Sequence, residues 1–268
     1  MKRIYFMGDI HGSQIPIQIL NKKEKLTSED SIVLLGDTGL NYYQNERDTE
    51  LKEILAEIGC TIYALRGNRD RRIKPLYDAA PQEWVEQFDS TSLISGTFYI
   101  EKKFPTIKYF LDDINGYYIT TNLGTYKTLV IPGAYSVDKY FRINSGWNWF
   151  SDEQLTEEEK EKGLELIDHD SFDFILSHTC PAIFIPTDLF ISSINQSVVD
   201  NSMERFLGYI ESQINYNFWL WGHYHEFRVY PGPPRNPGQP IMFGAGTEAL
   251  EINNILKGDY YAVQRCDC

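Results

Sequence analysis

The chain has 268 residues, 42% of them apolar and 14% aromatic, enough for a substantial core in one large domain or two small ones. Lysine and arginine number 25 against 38 aspartate and glutamate, a net charge of −13. That balance excludes general adhesion to nucleic acid or to an anionic membrane surface, while leaving room for a local basic pocket. No run approaches the roughly 18 apolar residues of a membrane-spanning helix. Cys60, Cys180, Cys266 and Cys268 have no spacing that suggests a disulfide framework, and the Cys-Asp-Cys tail reads as a frayed end with free thiols rather than a metal site. The opening Met1-Lys2-Arg3-Ile4-Tyr5-Phe6-Met7 has too short an apolar stretch for a signal peptide and reads as a first strand, so the expected location is cytoplasmic.

In chain order, residues 3–8, 32–35 and 61–65 are short apolar runs closed by Gly-Asp, Gly-Asp and Gly-Asn, the pattern of buried strands. Helices are expected at 14–22 and 47–58, the second with Leu51, Ile54, Leu55 and Ile58 at helical spacing. The result is β-α-β-α-β with its chemistry at the C-terminal strand ends. Residues 97–135, rich in Tyr, Thr and Ile, predict antiparallel strands with a turn at Asp113-Ile114-Asn115-Gly116. An acidic helix follows at 152–167, then a strand at 173–177, a helix at about 198–213 and a strand at 217–221. Pro231-Gly232-Pro233-Pro234-Arg235-Asn236-Pro237-Gly238 reads as a loop, with further β-prone runs at 240–244 and 259–264. No repeat or linker interrupts the chain, so the expectation is α/β (α+β by some schemes): a single domain over 1–268, with two sheets sandwiched between helices.

Against that scaffold, five segments end in residue types that bind divalent metals: Gly8-Asp9-Ile10-His11-Gly12, Gly36-Asp37, Gly67-Asn68-Arg69-Asp70, Ser177-His178 and Gly222-His223-Tyr224-His225. They contain four of the five histidines, the exception being His169, which reads as an exposed helix-end residue. Each segment alone has a plainer explanation. Asp37 could cap a helix, Gly67-Asn68 could be an ordinary turn, and His178 could be a hydrogen-bonded core residue. Their order, four of them directly after a strand-like run, is hard to obtain from core packing. Asp, Asn and His in such a set build two adjacent metal sites, a device for attacking phosphorus.

The ordered set resembles the calcineurin-like metallophosphoesterase superfamily, whose pattern is Asp-x-His, Gly-Asp, Gly-Asn-His-(Asp/Glu), His and Gly-His-x-His, over residues 8–225. Gly133-Ala134-Tyr135-Ser136-Val137-Asp138-Lys139-Tyr140 and His178-Thr179-Cys180-Pro181 are similar to segments of the bacterial and phage members labelled protein-phosphatase-like. The resemblance implies a four-layer α/β/β/α fold, a β-sandwich flanked by helices. Carried over by position, it implies Asp9, His11 and His225 on a first metal, Asn68, His178 and His223 on a second, and Asp37 bridging them. Mn²⁺ is the first guess for the two divalent ions, with Fe, Zn and Ni as rivals.

Two departures shape the expected chemistry. Arg69 stands where many members carry a histidine that protonates the leaving group, and Thr38-Gly39-Leu40-Asn41 replaces the Val-Asp-Arg-Gly typical of Ser/Thr protein phosphatases. A guanidinium cannot supply a proton near neutral pH, yet it can stabilise a phosphate electrostatically. Arg69 and Asp70 are therefore the catalytic candidates, with Asn68, Arg72 and Arg142 as substrate contacts. Arg66, Arg69, Arg71, Arg72 and Lys74 form either a basic patch near substrate or a solvated loop. Trp147-Asn148-Trp149-Phe150, with Tyr140 and Phe141, either stacks on a base or covers a core. The expected function is hydrolysis of phosphodiesters of nucleotide type by a hydroxide bridging two metals, on a phosphorylated small molecule or nucleotide. Phosphomonoesterase or Ser/Thr phosphoprotein phosphatase activity is the alternative, and a catalytically silent binding module the second alternative.

Overall fold

The structure is a computed structural model describing residues 2–167, 170–190, 195–231, 241–260 and 263–264. His169, residues 232–238 of the Pro-Gly stretch, parts of the 240–244 and 259–264 runs, and Cys266 and Cys268 lie outside the described residues. The chain opens with β1 (Ile4–Met7), α1 (Ile15–Glu24), β2 (Ser31–Leu34), α2 (Glu46–Glu57), β3 (Thr61–Ala64) and α3 (Ile73–Ala79). Asn45 caps α2 by accepting the Arg47 main-chain N–H, and Glu46 and Asp48 lie in its first turn, where they oppose the helix dipole. Next come β4 (Trp84–Asp89), β5 (Ile94–Glu101), β6 (Ile107–Tyr109), β7 (Asn115–Thr121), β8 (Gly124–Ile131), α4 (Lys139–Asn144) and α5 (Glu157–Ile167). The last part holds β9 (Ser171–Ser177), α6 (Ser202–Gln213), β10 (Asn215–Trp221), β11 (Arg228–Pro231), β12 (Ile241–Gly244), β13 (Ala249–Glu251), α7 (Ile252–Lys257) and β14 (Val263–Gln264). Among the described residues no helix is long and apolar enough to cross a membrane.

The strands form one continuous ladder that folds into two layers. One layer runs β14-β13-β1-β2-β3-β6-β5-β4 and the other β7-β8-β9-β10-β12-β11, with β5 also pairing β7 and so joining the two. Strands β1, β2, β3 and β6 are parallel, as are β8, β9, β10 and β12. Period-two alternation sorts their side chains into three cores. Ile4, Phe6, Val33, Tyr63, Val130, Phe174 and Leu220 meet between the sheets. Tyr5, Met7, Ile32, Leu34 and Ile62 pack outward on Ile17, Leu20, Leu51 and Leu55 of α1 and α2. Leu129, Ile175, Trp219 and Trp221 pack outward on Met203, Leu207 and Ile210 of α6. This is the helix-sheet-sheet-helix sandwich expected from the sequence.

One expected turn is a crossover instead. Asn115 and Gly116 already belong to β7, and the hairpin turns between Thr121 and Gly124. Residues 110–114 carry the chain from β6, paired in parallel with β3, to the other sheet. The sequence reading took Asp113-Ile114-Asn115-Gly116 for a hairpin turn because Asp, Asn and Gly are common in turns, whereas Asp113 and Ile114 end the crossover and Asn115 and Gly116 open β7. The acidic helix also starts later than expected, at Glu157.

Lys108 faces inward from β6, near the rings of Tyr63 and Phe98, and is only 8% exposed. Asp89 at the end of β4 pairs with it, and Ser92 Oγ accepts a second hydrogen bond at 2.7 Å. Removing one member of a buried pair strands the other. Asp89→Ala is therefore expected to destabilise the protein by about 3 kcal/mol in urea unfolding, and the double change with Lys108→Met to recover most of that loss.

Candidate metal centre

Residues following five strands converge at one end of the sandwich: Asp9 and His11 after β1, Asp37 after β2, Asn68 after β3, His178 after β9, and His223 and His225 after β10. Four of them turn the chain through the left-handed region, with φ of +47° at His11, +45° at Asp37, +70° at His223 and +55° at His225. Such values are uncommon away from glycine and gather where function holds the backbone. The neighbouring glycines provide room. A Cβ on Gly36, itself at φ +97°, would lie 2.1 Å from His178 Nδ1, and one on Gly67 would lie 2.3 Å from Asp37 Oδ1.

Two groups of ligand atoms share Asp9: Asp9 with His11 and His225, and Asp9 with Asp37 and His178, each set within 4.8 Å. The Nε2 atoms of His11 and His225 face each other at 2.8 Å, and His225 Nε2 lies 3.4 Å from Asp9 Oδ2. His178 Nε2 lies 2.9 Å from Asn68 Oδ1 and 3.3 Å from Asp37 Oδ1, while its Nδ1 meets the Leu35 carbonyl at 2.8 Å. The rings of His178 and His223 are 5.1 Å apart between centroids. All seven candidate ligands are thus in one cluster.

Charge in this cluster is poorly balanced. Asp9 is 4% exposed, and neither carboxylate oxygen has a well-formed hydrogen bond among the described residues, although the main-chain amide of His223 helps to stabilise its charge. Burial pushes the Asp9 carboxyl well above its usual range, and the nearby Asp37 adds to this. Burial also opposes ionisation of Asp37, but the adjacent His178 ring outweighs it and holds Asp37 below its usual value. Burial alone would lower His178; the Asp37 and Asp9 carboxylates instead raise it to about 9. Burial lowers His11 to about 4 and His223 to about 3, and lowers His225 as well. At neutral pH these three imidazoles are uncharged and have a lone pair to give. A buried carboxylate with little hydrogen bonding, beside neutral imidazoles and an amide oxygen, is a donor set that fits divalent ions.

The surrounding side chains act on this cluster differently. Arg69 donates its main-chain N–H to Asp37 Oδ1 at 2.7 Å, and its Nε lies 3.9 Å from Asp37 Oδ2. Its Nη2 donates to Asp138 Oδ2 at 2.7 Å. Asp70, the other catalytic candidate, accepts from the main-chain N–H of Thr38, Gly39 and Gly67 and from the Thr38 hydroxyl, tying together the turns after β2 and β3. Arg142 is fully buried, held by Asp138 and Ser136, and Arg72 is taken up by Glu159 and by the carbonyls of Asp152 and Gln154. The structure brings neither guanidinium to the metal cluster. Arg66 is no solvated loop residue: it is 4% exposed and donates to the Glu153 and Asp112 carbonyls. Sequence reasoning missed the support behind Asn68, whose Nδ2 donates to Ser136 Oγ at 3.0 Å while Glu153 accepts the Ser136 main-chain N–H at 2.9 Å. Ser136 and Asp138 both lie in the 133–140 segment singled out by the resemblance.

Because Gly67 has no space for a side chain, Gly67→Ala is expected to displace Asp37 and to weaken Mn²⁺ binding by at least about tenfold, with far-UV circular dichroism unchanged. Titration of the metal-stripped protein, followed by electron paramagnetic resonance of free Mn²⁺, measures the change.

The family model for calcineurin-like phosphoesterases matches residues 2–227. No curated protein matches the sequence. Similar solved structures include the phosphopantetheinyl hydrolase PptH of Mycobacterium tuberculosis, 11% identical, covering 91% of this chain and 89% of that one with a TM-score of 0.43. TT1561 of Thermus thermophilus is 13% identical, covering 99% of each chain with a TM-score of 0.49. A dimetal phosphatase from Danio rerio is 11% identical, covering 91% of this chain and 87% of that one with a TM-score of 0.44. On the family model, which spans most of its length, the chain belongs to the calcineurin-like phosphoesterases.

Proposed function

We propose that the protein is a phosphodiesterase with two divalent ions, acting on nucleotide-type diesters in the cytoplasm, and that residues 1–268 work as one domain. Asp9, His11 and His225 would hold one ion, Asn68, His178 and His223 the other, and Asp37 both, with Mn²⁺ the first trial metal. Two such ions supply Lewis acidity, activate a water and neutralise charge on the phosphate. The observation that carries the diester reading is Arg69. Its guanidinium lies 3.9 Å from Asp37 and is braced by Asp138, so it presents fixed positive charge to a phosphate beside the cluster. It stabilises a transition state and donates no proton, which handicaps poor leaving groups by about 10²–10⁴.

Nucleotide recognition rests on a cavity of about 480 Å³ that shares Arg69 with the metal cluster. Tyr43, Arg47, Trp147 and Asn148 line it as well. Arg47 lies 5.2 Å from the centre of the Tyr43 ring, and Trp147 is 55% exposed. Asn148 and Tyr42 exchange two hydrogen bonds, of 3.0 and 2.7 Å, that fix one wall against the other. An exposed tryptophan in a cavity that also holds two arginines suits a base that bears phosphate. The buried free thiols of Cys60 and Cys180 accord with a reducing compartment.

With Mn²⁺ restored to the stripped protein, bis(p-nitrophenyl) phosphate is expected to turn over well and p-nitrophenyl phosphate poorly, and Arg69→His to raise monoester turnover about 10²-fold. Comparable monoester turnover in the unaltered protein would move phosphatase to first place. Trp147→Ala is expected to lower kcat/KM for thymidine 5′-(p-nitrophenyl phosphate) about tenfold relative to bis(p-nitrophenyl) phosphate, by loss of stacking.

A further inference from the structure

A second cavity of about 420 Å³ opens on the metal cluster through His223 and His225, and it shares no residue with the cavity at Arg69. Ile185, Leu189 and Val199 make this second cavity apolar. Two carboxylates interrupt the lining: Asp200, which already accepts from Gln154 Nε2 and the Ser202 main-chain N–H, and Glu204. Glu204 of α6 is 5% exposed, and its Oε1 accepts from the Thr179 hydroxyl at 2.7 Å. Oε2 is equally buried and has no hydrogen-bond partner among the described residues. Thr179 directly follows His178, so this hydrogen bond holds Glu204 in register with the metal cluster. An apolar hollow alone says little about its occupant, but a buried carboxylate oxygen without a partner is costly unless something that enters the hollow donates to it.

We propose that this cavity receives the second arm of the phosphodiester: an apolar group carrying a hydroxyl or amide N–H that donates to Glu204. The inference rests on the phosphodiesterase reading and extends it. A diester has two substituents on one phosphorus, and this site offers two unlike compartments around one metal cluster. The polar one, with Arg47, Arg69 and Trp147, suits a charged aromatic arm. The apolar one, with His223 and His225 in its wall, suits a lipophilic arm with a single polar anchor.

Isothermal titration calorimetry of the Mn²⁺-loaded protein with inorganic phosphate, methyl, butyl and hexyl phosphate tests this without turnover. Affinity is expected to rise at least about 30-fold from methyl to hexyl phosphate, as five methylenes become partly buried. Val199→Trp should reduce that ratio to near one, and because the readout is a ratio, a poorly folded variant is recognised by loss of phosphate binding itself. Among hydroxyhexyl phosphate isomers, at least one should match hexyl phosphate in the unaltered protein and bind about tenfold more weakly in Glu204→Leu. Phosphate binding with no dependence on chain length would overturn the apolar-arm assignment and leave the phosphodiesterase reading standing. Absence of any phosphate binding to the metal-loaded protein would overturn both.

Discussion

The structure turns on a carboxylate that the protein buries with little hydrogen bonding to offset its charge. Asp9 sits at the end of β1 with a second carboxylate, Asp37, close by and one raised imidazole, His178, between them. A group in that position costs the folded state several kcal/mol unless a cation answers it. The backbone is shaped to keep the arrangement. Four candidate ligands hold left-handed φ values, and Gly36 and Gly67 leave the space that His178 and Asp37 fill. The stability needed to hold these conformations comes from elsewhere, from three apolar cores on parallel strands.

Around the cluster a second set of contacts fixes the ligand-bearing turns rather than the reacting groups. Asp70 ties the turn after β2 to the turn after β3 through four hydrogen bonds. Glu153 braces Ser136, which braces Asn68, while Asp138 holds Arg69 and Arg142 together. Arg142 therefore acts on Arg69 through a shared carboxylate, which is why a fully buried arginine belongs to this neighbourhood without reaching the cluster.

Much of the fold was legible because parallel buried strands leave dense apolar runs, as at β1, β2, β3, β9 and β10, and the candidate ligands follow those runs directly. Less visible were elements whose pattern is weak. α3 contains Pro75, tolerated only because it falls in the first turn. β4 breaks alternation by exposing Glu86, Gln87 and Phe88 in succession at one edge of its sheet, and β6 is three residues long with a lysine facing the core. The partners of Asp70, Arg72 and Arg142 gave no sequence signal. Sequence proximity to a motif says that a charged side chain is near, whereas its partners decide where it points: 31 and 32 positions away for Asp70 across the two turns, 80 and 87 for Arg72, and 4 and 6 for Arg142. Glu204 gave no signal at all: a glutamate in the first turn of a helix reads as a response to the helix dipole.

The seam at β5 has a consequence for how the protein assembles. Asp9, His11, Asp37 and Asn68 come from the sheet of β1, and His178, His223 and His225 from the sheet of β9. In the proposed assignment each ion draws ligands from both sheets, so neither sheet alone presents a complete site. Metal held in this way would act as a rivet across the sandwich. It would bind the docked arrangement and not the separated one, so free ion would add to the work of prising the layers apart. β5, hydrogen-bonded to both β6 and β7, joins the layers at one edge, and chelation should be felt as looser packing between the layers before either layer unravels.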